Sequence, residues 1–256
     1  MSSSAPDGSK AFGAHAALYA KRRPSYPQSV FEALEDALKG PRRHAADLGA
    51  GSGQATKELA TRFGQVTAVE PDSRMASQFP ALENVAVVNC ASEAATFPDG
   101  SLDAVIAATS FHWMDQRAII EKVHCWLRPG GVFFPFLYDA FNVEGAAKTV
   151  YDRNAALWAP FRDKRLNESV DYAKAFERSG AFANWSAFRD SIGATMSAED
   201  AAGLLGTTSF ASAYAKAAFG DPSIYVAKLT EEFRACGESL RVNAPLKGVI
   251  AVKSSD

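Results

Sequence analysis

Short apolar runs alternate with helix-like segments between residues 44 and 138. The runs "HAADLG", "QVTAVE", "VAVVNC", "LDAVIAATS" and "GVFFPFLY" predict five buried strands, because a strand that is covered on both faces shows a continuous apolar run. The intervening segments "GQATKELATRFG", "SRMASQFP" and "QRAIIEKVHCWL" have apolar residues at helical spacing. Strands that alternate with helices predict βαβ units and a parallel sheet with helices on both faces.

The flanking segments follow other patterns. The stretch "AFGAHAALYAKRRPSYPQSVFEALEDALKG" predicts two helices broken at "RPSYP", since Pro24 and Pro27 push the preceding residue out of the helical region. Residues 140–220 are mostly helical by pattern, and the chain ends in a predicted helix followed by a hairpin of two strands around "NAPLKG". These patterns divide the chain into a disordered N-terminus (1–10), a helical segment (11–40), an α/β core (41–139), a helical insertion (140–220), and a terminal helix and hairpin (221–256).

Composition narrows the classes of function. The 256 residues carry a formal charge of −2, with a pI near 6.1, which gives no general attraction to nucleic acid or anionic lipid. Cys90, Cys125 and Cys236 are odd in number and form no CxxC pair, a pattern that fits a reducing compartment better than a disulfide framework. The polar start "MSSSAPDGSK" and the lack of about 18 consecutive apolar residues predict a cytoplasmic protein without a membrane span.

The stretch "HAADLGAGSGQAT" carries the main chemical signal. A strand that leads through glycines into a helix presents main-chain N–H groups to a ligand above the sheet. The spacing Gly49-x-Gly51-x-Gly53 differs from the dinucleotide pattern, and Asp47 before it would repel a pyrophosphate but suits an ammonium group. Glu70 ends the next strand, where a carboxylate can accept both hydroxyls of a ribose. An ammonium group and a ribose together describe S-adenosylmethionine better than NAD.

Four motifs in order resemble those of class I S-adenosylmethionine-dependent methyltransferases. They are "DLGAGSG", "VTAVEPD", "SEAATFPDGSLDAVIAATSFHWMD" and "WLRPGG". Within this class, "YAKRRPSYP" and "SFHWMD" resemble the trans-aconitate methyltransferase-like group of small-molecule enzymes. The resemblance implies a doubly wound, mostly parallel seven-stranded sheet with an antiparallel C-terminal hairpin strand. It also implies that residues 11–40 act as a lid and residues 140–220 as a helical substrate cap.

The resemblance also implies a set of residues that bind the cofactor. Asp47, Gly49 and Gly51 would contact the methionine moiety, Glu70 would bind the ribose, and Asp72 and Met75 would lie near the ribose and adenine. Ser92 and Glu93 would lie at the adenine edge, while Arg23 would bind the cofactor carboxylate and Tyr19 would close the pocket. The predicted cofactor-binding set is completed by Gly53, Pro71, Thr109 and Trp113.

The acceptor side is less specific. His112 follows the fourth strand, beside the expected methyl group, and three roles remain open for it: general base, substrate or cofactor contact, and structure. Trp113 either forms a wall of the cofactor pocket or belongs to the core. The predicted substrate contacts are Tyr26, His112, Tyr138, Trp158 and Phe210. His15, His44 and His124 are isolated and show no metal-ligand spacing, so no metal is expected.

The sequence therefore predicts methyl transfer from S-adenosylmethionine to a small-molecule acceptor, with S-adenosylhomocysteine as the product. The acceptor could be a carboxylate, a hydroxyl or a heterocyclic nitrogen, and the protein a monomer or a homodimer. One alternative is a methyltransferase of a macromolecule, but the position after the fourth strand reads "TSFHWM" and lacks the Asn/Asp-Pro-Pro-aromatic motif of exocyclic-amine enzymes. Nucleic-acid and membrane partners are not expected. An NAD(P)-dependent oxidoreductase or a binding protein without activity are further alternatives.

Overall fold

An eight-stranded sheet forms the centre of the described part of the chain, which is residues 25–162 and 171–254 of a computed structural model. The strands are β1 (His44–Leu48), β2 (Gln65–Val69), β3 (Val85–Val88), β4 (Leu102–Ala108), β5 (Leu127–Tyr138), β6 (Asn142–Val143), β7 (Asn184–Ser197) and β8 (Ser239–Val252). The order is β3-β2-β1-β4-β5-β8-β6, and β7 pairs with β8 on its other edge. The first five strands are parallel, as predicted, and β8 is antiparallel to β5. The sheet has eight strands and not the predicted seven, and β3 is an exposed edge strand and not a buried one, with Val87 and Val88 each 41% exposed.

Helices cover both faces of this sheet. They are α1 (Gln28–Ala37), α2 (Gln54–Ala60), α3 (Ser73–Ala76), α4 (Gln116–Trp126), α5 (Lys148–Trp158), α6 (Tyr172–Ser179), α7 (Ala198–Gly206), α8 (Ser209–Phe219) and α9 (Pro222–Arg234). One core joins α1, α2, α5 and α7–α9 to one face of the sheet, and a second core joins α4 and α6 to the other. No helix in the described ranges has both the length and the apolar character needed to cross a membrane.

The described part of residues 140–220 is mostly helical, as predicted, but it also contains the long strand β7, which the sequence pattern did not predict. This strand pairs with β8 over its whole length, from Asn184 opposite Val252 to Ser197 opposite Ser239. Many of its residues are exposed, because it is an edge strand. An edge strand lacks the continuous apolar run that marks a strand buried on both faces.

The predicted hairpin around "NAPLKG" is also wrong, because β8 continues through this stretch without a turn. Pro245 fits there since β8 changes partners at this point: β6 pairs up to Asn243, and β5 begins at Leu246. The Pro245 carbonyl accepts the Asp139 N–H at 2.9 Å. The N–H that proline lacks would lie on the same edge of β8, between the residues that pair with β6 and those that pair with β5. Strand β8 is antiparallel to β7 of the insertion as well as to β5 and β6, and helices α7–α9 separate β7 from β8 along the chain.

Candidate active site

The glycine turn connects β1 to α2 at the carboxyl-terminal edge of the sheet. Gly49, Gly51 and Gly53 all have left-handed backbones, with φ of 67°, 61° and 84°. The turn is held against β2, since the N–H groups of Gly49 and Ala50 both donate to the Val69 carbonyl at 2.8 and 3.0 Å. A Cβ on Gly49 would lie 2.6 Å from the Cβ of Ser110. A Cβ on Gly53 would lie 2.7 Å from the Phe79 ring, so the three glycines meet a conformational requirement and Gly49 and Gly53 also meet a steric one.

Asp47 lies at the end of β1, completely buried. Its Oδ2 accepts the Thr56 hydroxyl at 2.6 Å, whereas Oδ1 has no hydrogen-bond partner among the described residues. Burial raises the pKa of Asp47 from 3.8 to about 7, and the nearby charge of Glu70 acts in the same direction. A buried carboxylate oxygen without a donor is complementary to a cationic ligand group, which would supply the missing hydrogen bond and charge.

Glu70 follows β2 and turns its carboxylate towards the glycine turn. Its Oε2 accepts the Gly51 N–H at 2.7 Å, and its Oε1 accepts the Asp72 N–H at 2.9 Å. Burial raises its pKa, although these two N–H groups counteract the effect. Asp47 and Glu70 thus place two carboxylates beside the same turn, as predicted from their positions at the ends of adjacent strands.

The segment after Glu70 contains an ion-paired carboxylate, Asp72, and a buried apolar side chain, Met75. Asp72 caps α3 and binds the guanidinium of Arg74 through both oxygens, at 3.0 and 2.7 Å. This ion pair lowers the pKa of Asp72. Met75 is buried, and its terminal methyl group lies close to Gly51. Its side chain therefore forms an apolar surface beside the glycine turn. Pro71 is exposed.

Ser92 and Glu93 lie in a short 3₁₀ helix, Ser92–Ala94, that follows β3. Ser92 is buried, whereas Glu93 is exposed and its Oε1 accepts the Asp115 N–H at 2.9 Å. Glu93 therefore connects this loop to the residue that caps α4. A role for either side chain at an adenine stays a prediction.

Thr109 directly follows β4 and has a left-handed backbone with φ of 57°, a rare conformation for a β-branched residue. Its N–H donates to the Phe136 carbonyl at 2.7 Å, and its Oγ1 forms a hydrogen bond of 2.9 Å with the hydroxyl of Tyr26. Strained residues of this kind are frequent at ligand sites. The contact joins the segment before α1 to the end of β4.

His112 lies in the 3₁₀ helix Phe111–Trp113, close after Thr109. Its Nδ1 is 3.2 Å from the hydroxyl of Tyr172, and its ring is 4.9 Å from that of Trp113. Both His112 and Trp113 are half-buried. The structure thus places the predicted catalytic residue at the carboxyl-terminal edge of β4, one strand away from Asp47.

The other predicted substrate residues separate into two groups. Tyr138 ends β5, and its ring lies 6.2 Å from that of Tyr26, so both belong to the edge that carries the site. Trp158 is 2% exposed, donates its indole N–H to the Tyr225 hydroxyl, and packs against Phe210. Trp158 and Phe210 thus belong to the packed interior of the helical region. The predicted contacts of Tyr19 and Arg23 lie outside the described residues.

Three residues of this region were missed by the sequence analysis. Thr56 binds Asp47, Ser110 donates to the Leu48 carbonyl at 2.6 Å beside Gly49, and Tyr172 binds His112. Thr56 could have been found, because a polar residue sits on the apolar face of α2. Tyr172 is separated from His112 by 60 residues, and no local pattern links the two.

Residues 46–134 match the family described as a methyltransferase domain. An uncharacterized methyltransferase of Mycobacterium tuberculosis is 38% identical over 133 residues, which are 51% of this chain and 53% of the relative. The chain thus spans about half the length of the curated relatives it matches.

Two solved structures extend the similarity in fold. One, provisionally named a type II methyltransferase of Anaeromyxobacter dehalogenans, is 26% identical with a TM-score of 0.74, and the alignment covers 91% of this chain and 99% of that one. The other is a phosphoethanolamine N-methyltransferase of Haemonchus contortus in complex with S-adenosyl-L-methionine. It is 14% identical with a TM-score of 0.56, over 94% of this chain and 57% of that one.

The sheet order, the glycine turn between two carboxylates and the sequence match agree with one another. The chain therefore has the Rossmann-like fold of class I methyltransferases, and residues 46–134 are similar to a methyltransferase domain.

Proposed function

We propose that the protein binds S-adenosylmethionine at the glycine turn and transfers its methyl group to a small-molecule acceptor. The observation that carries this proposal is Asp47, a fully buried carboxylate with one oxygen that has no donor among the described residues. The ammonium group of the cofactor's methionine moiety would donate to this oxygen. It would also supply the positive charge that favours ionised Asp47 over the protonated form.

Glu70 would bind the ribose. Its two oxygens each accept one main-chain N–H, and each keeps a further lone pair with which to accept a ribose hydroxyl. The N–H bonds from Gly51 and Asp72 fix the orientation of the carboxylate before a ligand arrives. Met75, Ser92 and the ion-paired Asp72 would then surround the adenine end, as the resemblance implies.

The acceptor would approach from the edge formed by β4 and β5, where Tyr26, His112 and Tyr138 lie. Ligands of open α/β sheets bind outside the carboxyl ends of the strands. The bound cofactor supplies an electrophilic methyl group on a sulfonium, and the protein's contribution is to hold the acceptor atom in line with it. Such positioning is worth roughly 7–11 kcal/mol in well-oriented systems.

A small acceptor is favoured over a nucleic acid by the charge of the chain. With 27 basic against 29 acidic residues and a pI near 6.1, the protein lacks the excess positive charge that holds nucleic acid. We further propose that the protein is cytoplasmic and is a monomer or a homodimer. The three free cysteines fit that compartment.

Calorimetric titration with S-adenosylhomocysteine and, separately, with NAD tests the cofactor assignment. We expect binding of S-adenosylhomocysteine to the wild type and at least tenfold weaker binding to Asp47→Asn. Asp152→Asn is the matched control, because Asp152 is an exposed carboxylate paired with Lys148 on α5. Binding of NAD in preference to S-adenosylhomocysteine, or equal affinity in Asp47→Asn, would refute the assignment.

Incubation of the protein with labelled S-adenosylmethionine and a metabolite panel tests the acceptor. We expect label in a small molecule, and mass fragmentation of that product identifies the methylated atom. Label in protein or RNA instead of the panel would show that the acceptor is a macromolecule. Inclusion of tRNA and a cell protein extract in parallel reactions makes that outcome detectable.

A further inference from the structure

The side chain of Tyr172 connects α6 to the predicted catalytic residue. Its hydroxyl is 3.2 Å from Nδ1 of His112, and the side chain is 3% exposed. The ring packs edge-on against Phe111, with centroids 5.0 Å apart. Tyr172 is thus a rigid, buried partner of a half-buried imidazole.

The direction of this hydrogen bond follows from the hydrogen that the Tyr172 hydroxyl carries. Burial raises the pKa of this hydroxyl well above its usual value, so it keeps its hydrogen. Among the residues that the structure describes, His112 Nδ1 is the acceptor within reach of that hydrogen. If Nδ1 were protonated, a buried hydroxyl would be left without an acceptor, at a cost of about 1–3 kcal/mol.

We propose that Tyr172 is a positioning residue that holds neutral His112 with Nδ1 unprotonated and Nε2 protonated, so that His112 donates a hydrogen bond to the methyl acceptor. A neutral imidazole carries one hydrogen on its two ring nitrogens. Nε2 then cannot take up a proton from the acceptor, and His112 is not a general base. This inference rests on the proposed methyl transfer and specifies the kind of acceptor that the site takes.

In the transfer, a lone pair of the acceptor forms the new bond to the methyl carbon, and the electron pair of the carbon–sulfur bond remains on sulfur. Any proton that the acceptor atom carries leaves to water. The site therefore selects acceptors whose nucleophilic atom has a free lone pair when it binds. The same or an adjacent atom accepts the Nε2 hydrogen.

Nitrogen NMR of protein labelled with ¹⁵N-histidine tests the tautomer directly, without an acceptor. The His112 signals are assigned from their loss in His112→Gln, and spectra are taken at a pH where the imidazole is neutral. We expect a protonated Nε2, an unprotonated Nδ1, and a shift of the Nδ1 signal in Tyr172→Phe, which keeps the ring and removes the hydroxyl. A protonated Nδ1 in the wild type, or an unchanged Nδ1 signal in Tyr172→Phe, overturns the inference.

Tyr225→Phe is the matched control for this experiment. The Tyr225 hydroxyl is also buried and hydrogen-bonded, to Trp158 and Asn154, but it lies in the helical region away from His112. We expect Tyr225→Phe to lower the stability and to leave the His112 signals in place. Calorimetry with S-adenosylhomocysteine on the same samples separates the two proposals, since the tautomer can be read whether or not the protein binds it.

Two variants of His112 test its role in the transfer, with the acceptor identified in the metabolite panel. Gln offers an N–H donor at a similar distance along the side chain but cannot accept a proton as a base, whereas Ala offers neither. We expect His112→Gln to retain at least tenfold more kcat than His112→Ala. Equal losses in both variants, in the range of roughly 10²–10⁴ that a general base contributes, overturn the donor role.

Discussion

Replacement of Asp47 by Asn should change how the stability of the protein depends on pH. Asp47 is completely buried, accepts one hydrogen bond from Thr56, and has one oxygen without a donor among the described residues. Burial raises its pKa to about 7 in the folded protein, whereas an unfolded chain ionises it near 3.8. The two states therefore hold different numbers of protons between these two values.

The sign of the effect follows from which state holds the extra proton. Between pH 3.8 and about 7 the folded protein keeps Asp47 protonated while the unfolded chain has lost that proton. The stabilisation by protonated Asp47 is complete below 3.8 and is lost as the pH rises through about 7. At about 1.4 kcal/mol per unit of pKa difference, the total loss is about 4 kcal/mol. Roughly 2–3 kcal/mol of this falls between about pH 5 and pH 8.

An amide side chain does not titrate, so Asp47→Asn should remove this part of the pH dependence. Urea unfolding followed by circular dichroism gives the free energy of unfolding at each pH. We expect it to fall between about pH 5 and pH 8 by roughly 2–3 kcal/mol more in the wild type than in Asp47→Asn. The introduced amide, which is itself unpaired, shifts the variant's stability equally at both pH values, and the comparison of slopes is independent of it.

Asp152→Asn removes an exposed carboxylate and should follow the wild-type curve within about 0.5 kcal/mol. Glu70 remains in both proteins, so its own raised pKa largely cancels in the comparison. Parallel curves of unfolding free energy against pH for the wild type and Asp47→Asn would refute the raised pKa. They would also refute the argument that Asp47 lacks the donors that it needs and would bind a cationic ligand group.

Three further substitutions test separate parts of the site. Glu70→Gln should weaken binding of S-adenosylhomocysteine at least tenfold by calorimetry, because its amide places N–H groups against a main-chain N–H; unchanged affinity would contradict the ribose assignment. Gly49→Ala and Gly180→Ala both introduce a side chain at a left-handed φ, of 67° and 65°, but only the first meets atoms within 3 Å. Gly49→Ala should therefore be less stable than Gly180→Ala by about 1–3 kcal/mol in urea unfolding, and equal values would show that the site relaxes. Tyr26→Phe removes the hydroxyl that bonds Thr109 Oγ1, so the amide of Thr109 should exchange faster with deuterium, and an unchanged rate would exclude that support.

Most of the parallel half of the fold could be predicted because burial on both faces leaves a continuous apolar run; β3 is the exception, since it carries such a run but is largely exposed. The runs that become β1, β4 and β5 are almost entirely buried, and their continuous apolar character reflects this. Strand β7 could not be recognised in the same way. One of its edges and much of its surface face solvent, so its sequence carries neither a continuous apolar run nor a strict alternation.

The residues of the candidate site differ in the same way in how far they could be predicted from the sequence. Asp47 and Glu70 could be identified because a carboxylate at the end of a predicted parallel strand is placed by the strand itself. The partners that determine their chemistry come from packing: Thr56 reaches Asp47 from α2, and Tyr172 reaches His112 from a helix within the insertion. Position along the chain therefore predicted that the two carboxylates lie beside the glycine turn, but neither the partners that they acquire through packing nor their state of protonation.

Two buried aspartates on adjacent strands, Asp103 and Asp47, differ in the number of hydrogen-bond donors that the fold supplies to each. Asp103, at the start of β4, accepts hydrogen bonds from the N–H groups of Arg43 and His44 and from the Arg128 guanidinium. Burial acts to raise its pKa, but these donors outweigh burial and lower it. Asp47 lies near the carboxyl end of β1, whereas Asp103 lies at the amino end of β4, and Asp47 has one donor and a raised pKa. A fold that supplies three donors to Asp103 and one to Asp47 leaves Asp47 to be neutralised by a proton or by a cationic ligand group, and this asymmetry supports the proposal that the cofactor's ammonium group binds beside the glycine turn.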